Sequence, residues 1–218
     1  MPALWKLVLF ILMTAVIVAA WLMEPPQNQL GEVSRIFYFH IPVAWVTILA
    51  YFIAMWQSAL YLRTKELVCD LKASTSAGLG TLFCILATIT GSVFAKVTWG
   101  SFWNWDPRET SILILLLIYG AYFALRSAVR EPERKAALSG VYSIFAFPPA
   151  VFLVFVVPRI YRSLHPTDSV VDASGAVQMP TPILLTFLAS LVAFTLLFVW
   201  IYRVQTTLER NLLLERKP

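Results

Sequence analysis

The chain has 218 residues, of which 59% are hydrophobic and 13% charged, with a mean hydropathy of +0.75. Soluble domains carry roughly 25% charged residues, so the composition excludes a water-soluble globular domain and points to apolar spans in lipid. The net charge of +5 has no soluble basic domain to sit on, which argues against nucleic acid; the two cysteines, Cys69 and Cys84, have no CxxC spacing and read as apolar packing residues rather than zinc ligands or a redox pair.

A spanning helix needs about 20 apolar residues. Taken in order, the sequence predicts an all-α membrane protein, a single domain over 1–218 with spans at about 5–23, 40–62, 73–95, 107–126, 136–157 and 182–202. The first apolar run follows Lys6 and ends near Trp21; its length favours a retained span over a cleaved signal peptide. A polar loop with Pro25-Pro26 follows. The second run begins at Ile36, so Tyr38 and His40 are expected near the interface, with Pro42 tolerated early in the helix. Arg63 to Lys72 reads as a short charged loop. The third run carries Gly78, Gly80 and Gly91, small residues that permit close helix packing.

Between spans three and four lies the densest local signal, Trp99 to Thr110, WGSFWNWDPRET. Its end is also a helix start: Asp106 suits the N-cap, Pro107 the first helical position, and Glu109 the capping-box position. Arg126 to Lys135 is a second basic loop. The fifth run contains Pro148-Pro149, which predicts a kink. Arg159 to Met179 is polar and contains His165. After span six, Val204, Leu208 and Leu212 stand at helical spacing in a charged tail, which fits either an interfacial helix or a solvated end.

The basic residues give an orientation. Lys6, the three in the Arg63 loop, the four in the Arg126 loop and the four after Tyr202 fall on one side; Arg35, Lys96, Arg108, Arg159 and Arg162 fall on the other. This split predicts cytoplasmic termini, with both histidines and the tryptophan stretch on the outer face. Neutral imidazole is a common iron ligand. Trp99 and Trp103 would share a face if the stretch were helical; Trp99, Trp103 and Trp105 would share one if it were extended. Gly100 permits close approach of the backbone. Arg108, Arg159, Arg162, Lys96 and Arg35 are outer-side cations that could meet carboxylates. On these grounds a site for a flat, apolar, anionic molecule such as haem or a quinone, and an aromatic belt, both remain open.

The stretch resembles the tryptophan-rich WWD signature, WGxxWxWDxRxT, of haem-handling proteins in cytochrome c maturation; Trp99, Gly100, Trp103, Trp105, Asp106, Arg108 and Thr110 match it. Six spans, a histidine before span two and another between spans five and six are similar to the smallest members, the CcmC type. The resemblance implies His40 and His165 as haem-iron ligands, the Trp99–Thr110 segment as haem platform, and non-covalent haem b as the bound group. It also implies a bacterial cytoplasmic (inner) membrane location, transfer of haem at the outer face to the chaperone CcmE, and assembly with the ATP-binding-cassette pair CcmA and CcmB and the small subunit CcmD. The chain has no Walker A pattern, so ATP hydrolysis is expected of a partner, and the resemblance implies haem handling rather than enzymatic turnover. A quinone-linked anchor of a respiratory complex would need more histidines, a secondary transporter would need charge in its spans, and a purely structural subunit leaves the tryptophans unexplained.

Overall fold

The computed structural model describes residues 3–22, 31–165 and 179–215, and the described residues contain helices and no strands. The helices are α1 (Ala3–Leu22), α2 (Phe37–Thr64) preceded by a 3-10 turn over Gly31–Ile36, α3 (Leu67–Trp99) and α4 (Pro107–Ala128). Then come α5 (Pro132–Val151), a π-helical turn over Phe152–Val156, the short α6 (Val157–Ile160) and α7 (Thr181–Glu215). Six helices are long and apolar enough to cross a membrane. A helix satisfies its own backbone polar groups, which is what makes such segments viable in lipid. The protein is therefore a multi-pass helical membrane protein.

Helix α2 lies at the centre. It packs most extensively on α3, and then on α5 and α7. Close approach to α3 depends on small residues: a Cβ at Gly80 would stand 2.7 Å from Cε1 of Tyr51, and Ser76 on α3 donates to the Ala50 carbonyl at 2.7 Å. Tyr51, Tyr119, Tyr122, Leu115 and Cys84 fill the core between α2, α3, α4 and α5. Both cysteines are free and buried, in keeping with a packing role.

Several boundaries differ from the sequence expectation. The charged loop between spans two and three shrinks to Lys65 and Glu66, because α3 already starts at Leu67. Cys69 and Leu71 are buried there, and Asp70 makes a two-pronged ion pair with Arg126 of α4 at 2.6 and 3.0 Å. Helix formation thus continues into residues whose charge alone suggested a loop. At the other end of the chain, α7 continues to Glu215, and Glu209 is anchored by Thr75 and Gln205, each at 3.1 Å. The helical alternative for the tail is the one found, with Val204, Leu208 and Leu212 exposed along it. The expected irregularity at Pro148-Pro149 takes the form of the π turn that follows them; the Phe152 amide reaches the carbonyls of both prolines. Prolines at 148, 149 and 158 remove the donors that a regular ladder would use there.

Interactions pair the helix ends at both extremities. Asp70–Arg126, Thr75–Glu209 and Tyr61 to the Glu133 carbonyl (3.1 Å) join one end. At the opposite end Arg35 donates to the carbonyls of Ala20 and Trp21, tying the end of α1 to the approach of α2. Removing one partner from a largely buried ion pair costs about 3 kcal/mol, and removing both costs less. Arg126→Met should therefore lower the thermal unfolding midpoint in detergent, and adding Asp70→Asn should recover part of the loss. Equal midpoints for wild type and Arg126→Met would contradict the role assigned to this pair.

Candidate functional site

The site forms where α2 begins, α3 ends, α4 begins and the chain emerges from α6. His40 stands in the first turns of α2. Its Nδ1 lies 2.8 Å from the Thr90 hydroxyl of α3. That hydroxyl has one proton, and the Leu86 carbonyl accepts it at 2.8 Å. In the tautomer in which the Leu86 carbonyl takes the Thr90 proton, Nδ1 of His40 donates to Thr90 and Nε2 keeps its lone pair. Gly91 leaves room for the ring: a Cβ there would be 3.1 Å from Cε1 of His40.

The same proton count applies to His165. Its Nδ1 is 3.2 Å from the Ser163 hydroxyl and 3.3 Å from Oδ1 of Asp106. Ser163 donates to that carboxylate oxygen at 3.0 Å and accepts from the His165 amide at 3.1 Å. Nδ1 therefore holds the ring hydrogen, and Nε2 is again free to coordinate. Burial first, and then the nearby Arg108 charge, lower the His165 pKa from 6.5, against the opposing pull of Asp106.

Asp106 joins these parts. Only 4% of it is exposed. Oδ1 caps α4 by accepting from the Arg108 amide at 2.9 Å, and Glu109 completes the capping box. Oδ2 accepts from the Leu164 amide at 2.7 Å. Burial works to raise the carboxyl pKa; the Leu164 and Arg108 amides and the Ser163 hydroxyl outweigh it, holding Asp106 below the ordinary carboxylate range.

The tryptophan segment is neither helical nor extended. Helix α3 ends on Trp99, and Gly100 reverses the chain at φ +82°. A Cβ at Gly100 would meet nothing within 4 Å, so within the protein the glycine is needed for the left-handed turn that ends α3. The rings divide into two sets. Trp99 meets His165 edge to face, with centroids 4.7 Å apart, and both pack with Phe94 of α3. Trp103 and Trp105 form their own perpendicular pair at 5.8 Å. Trp105 is 71% exposed and has φ +55°, which breaks the alternation an extended strand would give.

The cations are unequal. Arg108 is half-buried, its charge acts on both histidines, and its Nε lacks a hydrogen-bond partner among the described residues. Arg159 is exposed and donates to the Phe155 carbonyl; Arg162 is also exposed. Lys96 caps α3 by donating to the Gly100 carbonyl at 2.9 Å, and Arg35 is engaged with Glu32 and the end of α1. The structure thus brings together His40, His165, Asp106, Arg108 and Trp99. Thr90, Gly91, Phe94 and Ser163 join them unannounced by the sequence motif. Gly91 was visible in the sequence only as a small packing residue, and a hydroxyl two residues before a histidine, as at Ser163, is a signal that can mark a turn.

Fold and site define a multi-pass helical membrane protein with a preorganised pair of imidazoles at one end of its bundle. The chain belongs to the haem exporter protein C family, whose model matches residues 1–217. It is similar to the heme exporter protein C of Bradyrhizobium diazoefficiens, with 31% identity over 89% of this chain and 72% of the relative. The protein of that name from Paracoccus denitrificans is 31% identical over 86% of this chain and 77% of its own length. The Haemophilus influenzae protein is 27% identical over 85% and 74%.

Because its pKa is lowered from 6.5, His165 is mainly neutral at pH 6.5 and takes up its proton at lower pH than a free imidazole. An imidazolium in edge contact quenches indole emission, so the Trp99 contribution, isolated by comparison with Trp99→Phe, should fall on acidification with a midpoint below pH 6.5. In Asp106→Asn the upward pull on the imidazole is gone, and the fall should move to lower pH. A transition centred above pH 6.5 in the wild type is the contrary result.

Proposed function

We propose that this protein holds haem b non-covalently at the outer face of the bacterial cytoplasmic membrane and delivers it to the haem chaperone CcmE. The observation that carries this reading is the two histidines at one end of the bundle, each with an oxygen partner at Nδ1: Thr90 for His40, and Ser163 and Asp106 for His165. Metal-ligating histidines characteristically donate their other ring hydrogen in this manner. Haem enters as cargo rather than as a resident catalytic group. His40 and His165 are its iron ligands. Trp99 and Phe94 buttress His165, while the Trp103–Trp105 pair offers aromatic area to the porphyrin plane.

Haem propionates call for cations, and Arg108 is the strongest candidate because its buried Nε awaits an acceptor. Arg159 and Arg162, both exposed, can serve the solvent edge of the ring. Asp106 supports the site by orienting His165, without touching iron. The absence of a CxxCH sequence in the chain fits non-covalent binding. Handling requires firm but reversible binding and no bond-making catalysis by the protein, so ATP-driven steps fall to the CcmA–CcmB pair, with CcmD as accessory subunit. The basic-residue split orients both termini to the cytoplasm.

The test is an absorption spectrum of the protein purified in mild detergent in the absence of the chaperone. Wild type should show a Soret band, and His40→Ala and His165→Ala should each lose or shift it. Unchanged haem content and spectra in both variants would remove the assignment. Asp106→Ala should lower haem affinity about 10- to 100-fold, the usual cost of removing a partner that orients a metal ligand. A reporter joined after Pro218 should read as cytoplasmic, and an outer-side signal would reverse the orientation.

A further inference from the structure

The two histidines differ in what accepts their Nδ1 hydrogen. On His165 the acceptors are the Asp106 carboxylate at 3.3 Å and the Ser163 hydroxyl at 3.2 Å. A carboxylate partner draws the imidazole toward imidazolate and raises its donor strength to a metal. On His40 the Nδ1 partner is the Thr90 hydroxyl at 2.8 Å, a neutral group. Thr90 carries no formal charge, and carbonyl acceptors for its own proton lie at 2.8 Å on Leu86 and 3.2 Å on Ala87. The other groups that act on His40 are the His165 imidazole, the Arg108 guanidinium and the Ala87 backbone.

We propose that Thr90 is a positioning residue that orients His40 while keeping it the weaker iron ligand of the pair, so that haem release begins at His40. This rests on the reading of both histidines as iron ligands. The step is a ligand exchange: the iron–Nε2 bond to His40 breaks, Nε2 recovers its lone pair, and an incoming imidazole nitrogen donates in its place, with no change in electron count at the iron. Gly91 supplies the space in which the releasing ring stands, because a methyl group there would press on Cε1 at 3.1 Å.

The experiment loads wild type, Thr90→Ser, Thr90→Val and Thr90→Asp with haem in detergent. It measures the rate of haem loss to excess apomyoglobin and the reduction potential of the bound haem. Thr90→Asp gives His40 a carboxylate acceptor; haem loss should slow about tenfold and the potential should fall. Thr90→Val removes the acceptor; haem loss should quicken and the potential should rise. Thr90→Ser should match the wild type in both.

A purely packing role for Thr90 would leave the potential of the Val variant at the wild-type value, which overturns the proposal. Faster loss from Thr90→Asp than from wild type overturns it as well. If the Asp variant does not accumulate in membranes, the Val and Ser pair decides the matter, and equal rates and potentials for both overturn it. His40→Ala and His165→Ala, measured alongside, separate the two levels. Spectra that respond to those changes but not to Thr90 variants refute the role of Thr90 alone; spectra that respond to neither refute the ligand reading itself.

Discussion

One buried carboxylate sets the geometry of the site. Asp106 is 4% exposed, and a carboxylate so removed from water must be matched by donors or it would be costly to bury. Its donors come from two parts of the chain. The Arg108 amide belongs to the first turn of α4; the Ser163 hydroxyl, the Leu164 amide and the His165 ring belong to the segment after α6. Satisfying Asp106 therefore fixes the start of one helix and the position of a distant histidine together. The end of α3 is drawn in as well, because Trp99 and Phe94 pack on the same imidazole. Loss of the carboxylate would uncap α4 and unmoor His165 at once.

Much of this was legible in the sequence, for reasons that differ by residue. The six helices follow from apolar length, and the capping box at Asp106 follows from residue types at local spacing. What charge suggested as loop at Arg63–Lys72 is mostly helix, because the Asp70–Arg126 pair spans 56 positions and no local pattern reveals it. The second duty of Asp106 was invisible for the same reason: Ser163 lies 57 positions away. Thr90 and Gly91 carry no motif. Their part in the site exists only because α2 crosses α3 where His40 meets them.

The tryptophan segment shows how a local rule can be overridden. A helix or a strand would have aligned its rings; instead Gly100 turns the chain, and Trp105 adopts φ +55°. Such a conformation costs a bulky residue about 1–3 kcal/mol and persists only when its surroundings over-determine it. They do so here. The amides of Asn104 and Asp106, one on each side of Trp105, both donate to Oε2 of Glu109, at 2.6 and 3.3 Å. The Thr110 hydroxyl donates to the Trp105 carbonyl at 3.4 Å. The capping box thus holds the strained residue, and the strain turns Trp105 outward to pair with Trp103 rather than with Trp99.

The two histidines are also mounted differently, which bears on the proposed release. His40 rides on α2, the central helix, at its contact with α3, the most extensive helix–helix contact in the bundle. His165 sits beyond the π turn and α6, held by hydrogen bonds to Asp106 and by ring contacts rather than by a helix of its own. In the proposed order of release, His40, whose Nδ1 partner is neutral, gives up the iron first, and His165, whose partner is the buried Asp106 carboxylate, keeps it until the incoming imidazole has bound.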